Sequence, residues 1–293
     1  MWKESFLRYL EDERNYSTRT IEEYGADLCK FEAFFKGIDE GLDFLTVDSD
    51  VIRDWVVSLM DEGQAATSVA RRLSSLRAFY RYLLRKQAIK ADPTLKVIGS
   101  KKKKPLPVFV KEADMDRLLD ETDFGNDFEG LRDRLILETF YETGIRLSEL
   151  IGLTDASVDF SACLIKVTGK RDKQRLIPFG EGLYADMQSY LSAREDYWPG
   201  SCEAFFIGKR GKAMTRSAVY RLVRKNLSKV VTLKKKSPHV LRHTFATSML
   251  NHKAGLEAVK ELLGHESLTT TEVYTHTTFE ELKKVYEQAH PRA

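Results

Sequence analysis

The chain has 293 residues, of which 42% are hydrophobic and 31% charged, and its formal net charge is +3. This is enough apolar material for one large folded domain or two ordinary ones. No stretch approaches the roughly 18 consecutive apolar residues of a membrane span, and the N-terminus, MWKESFLRYL, lacks a signal-peptide pattern. The three cysteines lack metal-ligand spacing, so we expect neither a disulfide framework nor a zinc site, and a cytoplasmic location.

The positive charges are concentrated in two stretches. Residues 71–104 contain twelve Lys or Arg and the single acid Asp92, and residues 201–242 contain twelve and the single acid Glu203. Either stretch alone fits an ordinary solvated surface. Two stretches nearly free of acids favour two surfaces that contact one polyanion, so we expect a nucleic acid as partner.

The first third of the chain has the apolar spacing of helices. Apolar residues recur at helical intervals from Ile21 to Phe35, with Thr18 as the expected N-cap, and further helices are predicted over residues 51–60 and about 66–86. The last of these helices is rich in arginine, and its side chains could reach phosphates or base edges of DNA. The arginines that we expect to contact DNA are Arg71, Arg72, Arg77 and Arg81.

The stretch KVIGSKKKKPLPVF is the clearest domain boundary, because glycine, prolines and a run of lysines resist packing. We therefore predict a helical domain over residues 1–98, a basic linker over 99–108 and a second domain over 109–293. The linker lysines either cross the DNA backbone or are simply solvated. They are Lys101, Lys102, Lys103 and Lys104.

The second domain combines helices with a few short strands. A helix is expected near residues 111–121, followed by the apolar segment LRDRLILETFYETGIRLSELIGL. Residues 163–169 and 174–180 predict two strands joined by a hairpin, residues 204–208 a possible third, and the remainder is mostly helical. The fold class is therefore mainly α with a small β-hairpin or sheet. The apolar stripe of Phe279, Leu282, Val285 and Tyr286 fits docking on a neighbouring protomer or folding back on its own domain, and the sequence leaves both open.

Candidate chemical groups lie beside predicted helix breaks and caps. They are Arg146 after Gly144, His239 and Arg242 on one side of a helix opened by Pro238, His265 after Gly264, and Tyr274 in a short helix opened by the pattern Thr269-x-x-Glu272. A phosphodiester under attack gathers negative charge on two oxygens, which two arginines can hold with forked hydrogen bonds. A histidine can move the nucleophile's proton, and a lysine on the hairpin, Lys170, can protonate the leaving 5′ oxygen. A tyrosine nucleophile conserves the bond as a phosphotyrosine ester, so rejoining needs no ATP.

Each of these residues alone also has an ordinary structural explanation; Arg146, for example, could simply pair with Glu149 on its own helix. The motifs TGIRLSEL, TGKRDKQRLIP, HVLRHTFAT, LLGHESLTTTEVYTH and AHPRA are much more specific when taken together. Over essentially the whole chain they resemble the Xer branch of the tyrosine recombinase (lambda-integrase-like) family. The ending EELKKVYEQAHPRA is more similar to the XerC group than to the XerD group.

The resemblance implies a role for each candidate. Arg146 and Arg242 would bind the phosphate, Tyr274 would be the nucleophile, Lys170 the general acid, His239 a proton-transfer group and His265 a hydrogen-bond donor to the scissile phosphate. Arg171 stands where the family usually has glycine, which puts the position of Lys170 in doubt and leaves Lys173 as a substitute. No metal or other cofactor is expected.

The resemblance also implies a C-shaped clamp on DNA, with a helical core-binding domain and a mixed α/β catalytic domain. Arg216, in the second basic stretch, is a further expected DNA contact. The implied partners are a double-stranded recombination site, identical or second Xer-type recombinases in a tetramer, and a DNA translocase. The implied task is the resolution of chromosome dimers; an integrase or transposase of a mobile element, a type IB topoisomerase and a non-catalytic DNA-binding protein are the alternatives.

Overall fold

The computed structural model describes residues 1–98, 108–169, 173–200, 202–264 and 276–293, and of residues 276–279 only the backbone. Contacts divide the chain into two compact units, Met1–Pro105 and Leu106–Ala293. Within the described ranges, no helix is both long and apolar enough to cross a membrane.

The N-terminal unit is helical, as the apolar spacing predicted. Its helices are α1 (Trp2–Asp12), α2 (Thr18–Ile38), α3 (Ser49–Asp61) and α4 (Ala66–Arg85). The N-cap of α2 is Ser17, whose hydroxyl accepts from the backbone N–H of Thr20, so the expected cap Thr18 is instead the first helical residue. The core of the unit is aromatic: Phe6, Phe31, Phe35, Trp55 and Phe79 are each at most 2% exposed. Each of these rings buries a large apolar surface, and together with the buried aliphatic side chains they form the core of this unit.

The C-terminal unit surrounds a small antiparallel sheet with helices. In chain order its elements are α5 (Glu112–Asp116, continued by a π-helical turn over Arg117–Glu121), α6 (Phe128–Thr143), α7 (Leu147–Ile151), β1 (Val158–Asp159), β2 (Leu164–Thr168), β3 (Gln174–Pro178), α8 (Glu181–Tyr197), α9 (Arg216–Val230), α10 (Pro238–Asn251), α11 (Leu256–Leu263) and α12 (His276–Ala289). The strand order is β1-β2-β3, with Thr168 paired to Gln174 beside the hairpin. Residues 204–208 form only isolated bridges, at Ala204 and Ile207.

Helix α6 lies at the centre of this unit and is buried on all sides from Leu135 to Thr143. It ends at Gly144, whose φ of +57° is left-handed. A Cβ at this position would lie 2.6 Å from Cδ1 of Phe245 and 2.8 Å from Cδ2 of Leu263. Both the backbone conformation and the close approach therefore require glycine here.

Helix α12 packs on its own unit. Leu282, Tyr286 and Ala289 are buried in one cluster with Phe245 and Met249. In the single chain this segment therefore folds back on its own unit. The side chain of Phe279 lies outside the described residues.

Candidate active site

Arg146 is the N-cap residue of α7, directly after the turn that Gly144 makes possible. Its Nη1 donates to Glu149 Oε1 at 2.7 Å, its Nη2 donates to the carbonyl of Gly264 at 2.8 Å, and its backbone N–H donates to Glu149 Oε2 at 2.8 Å. The side chain remains 31% exposed. The guanidinium is thus held by Glu149 and Gly264, and the side chain as a whole is still partly accessible to solvent.

Arg242 comes from α10 and is 7% exposed. Its Nη1 donates to the carbonyl of Gly144 at 2.6 Å, and its Nη2 donates to the carbonyl of Leu263. Burial, followed by the positive charges of Arg146 and Arg175, lowers the pKa of Arg242 to about 9. The group still carries its charge at neutral pH, but in surroundings that would favour an added anion.

The two predicted arginines are therefore held by neighbouring parts of the same backbone. Arg242 and Arg146 bond to consecutive carbonyls at the end of α11, those of Leu263 and Gly264, and Arg242 also bonds to the turn that precedes Arg146. Two guanidinium groups on one rigid corner suit an anion that offers two oxygens, as a phosphodiester does.

His239 is the second residue of α10, whose first residue is Pro238. His239 is accessible to solvent on one side and surrounded by protein on the other, whereas Arg242, three residues later, is buried. Partial burial, followed by the positive charges of His243, Arg242, Arg216 and Arg146, lowers the pKa of His239 below its ordinary 6.5. The imidazole is therefore neutral at neutral pH and can accept a proton.

Lys170, Arg171, His265 and Tyr274 lie outside the described residues, but residues next to two of them border the arginines. Gly169, beside Lys170, closes the hairpin by donating its N–H to the carbonyl of Lys173 at 2.7 Å. A Cβ on Gly169 would lie 3.5 Å from Glu149 Oε1 and 3.9 Å from Nη1 of Arg146. Gly264, beside His265, ends α11 at φ +63°. Gly169 and Gly264, which precede Lys170 and His265 in the chain, thus both lie next to the Arg146–Glu149 pair.

Glu149 and Arg175 belong to this cluster, although sequence reasoning gave neither a role in the chemistry. The sequence indicates Glu149 only as an ordinary ion-pair partner of Arg146, and it gives Arg175, within the hairpin motif, no role of its own. Arg175 donates to both carboxylate oxygens of Glu149, at 2.7 and 2.9 Å. The available signal was the apolar surroundings of the Glu in TGIRLSEL, which indicate a buried carboxylate. A buried carboxylate requires cationic partners.

The four arginines of the N-terminal unit that we expect to contact DNA differ in their contacts within the protein. Arg71 forms a two-bond fork with buried Asp27, at 2.6 and 2.9 Å, and Arg72 lies 3.4 Å from the same carboxylate. Arg77 donates to the carbonyl of Val97 at 2.7 Å, whereas Arg81 is exposed and bonds only to a carbonyl of its own helix among the described contacts. Arg71, Arg72 and Arg77 therefore have a structural role whether or not they also contact DNA. The linker lysines, Lys101, Lys102, Lys103 and Lys104, lie outside the described residues.

In the C-terminal unit, α9 presents a basic surface. Arg216 is its first residue, and Thr215 caps the helix by accepting from the N–H of Ala218. One side of α9 is buried through Val219, Leu222, Val223, Asn226 and Leu227. The exposed side carries Arg216, Arg221, Arg224, Lys225 and Lys229. Arg216 also lies close enough to His239 to lower its pKa, so this basic surface adjoins the candidate site.

Known proteins are similar to this chain along its whole length. Residues 109–281 match the phage integrase family, and residues 4–87 match the N-terminal SAM-like domain of phage integrases. A tyrosine recombinase XerC of Chlorobaculum parvum is 38% identical, covering 100% of this chain and 95% of that protein. A tyrosine recombinase XerD of Staphylococcus aureus is 35% identical over 99% of this chain and 98% of that protein.

Among solved structures, the post-cleavage complex of the XerH site-specific recombinase with a palindromic difH substrate shares the fold. Its TM-score is 0.72 at 22% identity, covering 96% of this chain and 83% of that chain. The family match and the full-length relatives decide the classification. The chain belongs to the phage integrase family and is a site-specific tyrosine recombinase of the Xer type.

Proposed function

We propose that this protein cuts and rejoins duplex DNA at a specific recombination site and thereby resolves chromosome dimers before segregation. The observation that carries the proposal is the pair Arg146 and Arg242, which bond to the adjacent carbonyls of Gly264 and Leu263. Both lie near the described residues that precede Lys170 and His265. The relatives at 35–38% identity are named as recombinases of the two Xer types, which supports the same task.

In the proposed reaction, the hydroxyl oxygen of Tyr274 attacks the scissile phosphorus. A bond forms from Tyr274 to the phosphorus, and the bond to the 5′ oxygen breaks. His239, neutral at working pH, takes the proton of the tyrosine, and Lys170 gives a proton to the leaving 5′ oxygen. Arg146 and Arg242 neutralise the charge on the non-bridging oxygens, and His265 donates a hydrogen bond to them. Attack of a 5′ hydroxyl from the partner strand reverses these transfers and restores the phosphodiester.

These residues fill the roles that a metal ion would take, so the proposal includes no metal or cofactor. We therefore expect the rate of cleavage to be unchanged in excess EDTA. Loss of cleavage on chelation, restored by added Mg²⁺, would contradict this part of the proposal.

DNA is the proposed partner of both units. Arg81 and Arg216 are exposed and free to contact phosphates, and Lys101–Lys104 would add contacts along the backbone. Arg71, Arg72 and Arg77 could still contribute, because a guanidinium has five N–H donors and each of these three uses only some of them internally. Recombination exchanges four strands, so we propose a tetramer on DNA, built with identical copies or a second Xer-type recombinase. A DNA translocase as partner and action in the cytoplasm complete the proposal.

A nicked suicide substrate tests the chemistry. The duplex contains a site mapped by genomic protection, with a nick close to the cut so that the released 5′ end diffuses away. We expect a covalent protein–DNA adduct with the unsubstituted protein and with Tyr184→Phe, a matched change of a partly exposed tyrosine, but none with Tyr274→Phe. An adduct with Tyr274→Phe would refute the assigned nucleophile.

The choice of target distinguishes the tasks. Adducts trapped across the genome should map to one chromosomal site, and loss of the gene should leave dimeric chromosomes. Adducts at the ends of a mobile element would instead support an integrase or transposase, and sequence-independent relaxation of supercoils by a monomer would support a type IB topoisomerase. Binding without any adduct would support a non-catalytic protein.

A further inference from the structure

No step of the proposed reaction uses Arg175, although its side chain belongs to the cluster around Glu149 and Arg146. It lies on β3 and is 12% exposed. Its Nη1 and Nη2 form a fork with the two oxygens of Glu149, at 2.7 and 2.9 Å, and its Nε donates to the carbonyl of Leu262 at 2.9 Å. One guanidinium thus ties strand β3 to α7 and to the end of α11.

Glu149 connects Arg175 to Arg146. Its carboxylate is 1% exposed and accepts four hydrogen bonds, two from Arg175 and two from Arg146. Burial alone would raise the pKa of Glu149, but the bonds and charge of Arg175, and then the bonds of Arg146, hold it at about 2. The carboxylate is therefore ionised throughout the working range and has a fixed orientation.

The balance of charge gives Arg175 its importance. A buried carboxylate with Arg146 as its single cationic partner would neutralise that arginine and compete with a phosphate for it. With Arg175 present, the three groups carry a net charge of +1, so Glu149 can orient Arg146 without cancelling its charge. The fork geometry of Arg175 suits this role, because lysine offers only a point charge.

We propose that Arg175 is a positioning residue for strand cleavage, which orients Glu149 and thereby keeps the guanidinium of Arg146 aligned and charged for the scissile phosphate. The proposal rests on the proposed function, in which Arg146 binds that phosphate. Arg175 itself need not touch DNA.

Single-turnover cleavage of two matched nicked substrates tests this. One has the natural phosphate at the cut, and the other has a methylphosphonate, in which a methyl group replaces a non-bridging oxygen and removes the negative charge. Arg175→Met should slow cleavage of the phosphate by about 10–100-fold, by analogy with the loss of groups that orient the ligands of a metal ion. The methylphosphonate offers no charge for Arg146 to neutralise. Arg175→Met should therefore cleave it at a rate within about threefold of that of the unsubstituted protein.

Arg194 supplies the matched control. It is also a partly buried arginine, forks onto a carboxylate (Asp155, at 2.8 and 2.7 Å) and donates to a carbonyl of Phe205 at 2.9 Å. Arg194→Met should affect the two substrates equally. An equal loss on both substrates for Arg175→Met would overturn the proposal and leave Arg175 a purely structural role.

Two further variants separate the possible failures. Arg175→Lys keeps the charge but loses the fork that orients Glu149, so it tests the positioning role if the methionine variant does not fold. It should still slow cleavage of the phosphate more than cleavage of the methylphosphonate, and an equal loss on both would overturn the proposal. Arg146→Ala should show the same preference for the uncharged substrate, and combining it with Arg175→Met should add little further loss. If Arg146→Ala cleaves both substrates at the unsubstituted rate, the proposed phosphate-binding role fails rather than the positioning role of Arg175.

Discussion

Substitution of Gly144 by alanine tests the link between the end of α6 and the arginine cluster. The φ of +57° penalises any residue with a Cβ, and the new methyl would lie 2.6 Å from the ring of Phe245 and 2.8 Å from Leu263. The left-handed backbone costs about 1–2 kcal/mol and overpacking about 1–3, so Gly144→Ala should lower the free energy of unfolding by about 2–5 kcal/mol. Because the carbonyl of Gly144 accepts from Arg242, cleavage should slow as well.

Urea unfolding of three alanine variants in the same unit separates the contributions. Gly125 has φ +81° and only an ordinary contact at 3.6 Å, so Gly125→Ala should show the backbone cost alone. Gly182, in α8, has nothing within 4 Å of the added Cβ, so Gly182→Ala should lose no stability. A Gly144→Ala loss within about 0.5 kcal/mol of the Gly125→Ala loss would refute the packing contribution.

Three further predictions concern ionisable groups. The lowered pKa of His239 means that cleavage should fall on acidification with a midpoint below pH 6.5, because the protonated ring cannot accept the tyrosine proton, and His239→Gln should remove this limb of the pH–rate profile. A midpoint above 6.5 would contradict the assignment. Burial raises the pKa of Glu142 from 4.5 to about 8, so its contribution to stability is present at low pH and is lost as pH rises through that window. The free energy of unfolding of Glu142→Gln relative to the unsubstituted protein, measured in urea, should therefore be higher at pH 8 than at pH 5. An equal difference at both pH values would show that this carboxyl is not neutral when folded. Asp27→Asn should destabilise the N-terminal unit by about 1–3 kcal/mol, since charged bonds to Arg71 are lost, whereas Asp50→Asn, which breaks an exposed pair, should change it by less than about 0.5. Equal effects of these two changes would show that burial adds nothing to the Asp27 pair.

Local signals predicted the elements that carry the candidate site. Glycine marked the ends of α6 and α11, proline marked the start of α10, and short β-like runs marked β2 and β3. These signals act within a few residues, so the sequence displays them directly. The helical N-terminal unit followed for the same reason, apart from the one-residue error at the cap of α2.

Contacts between distant residues could not be read in this way. Arg175 and Glu149 are 26 residues apart, and no local pattern indicates that they meet. The run at 204–208 had the composition of a strand but lacks a partner of strand length, so it forms only isolated bridges. The apolar stripe of α12 showed that it must be buried, but not on which surface, because burial on either surface requires the same residues.

Mass spectrometry of the trapped adduct tests the central claim most directly. After cleavage of the suicide substrate, nuclease digestion and trypsin, residues 261–283 form one peptide in which Tyr274 is the only tyrosine. The account predicts that this peptide carries the added nucleotide through a 3′ phosphate on Tyr274, and that the Tyr274→Phe protein yields no modified peptide. A nucleotide attached to any other peptide, or an adduct through a 5′ phosphate, would contradict it.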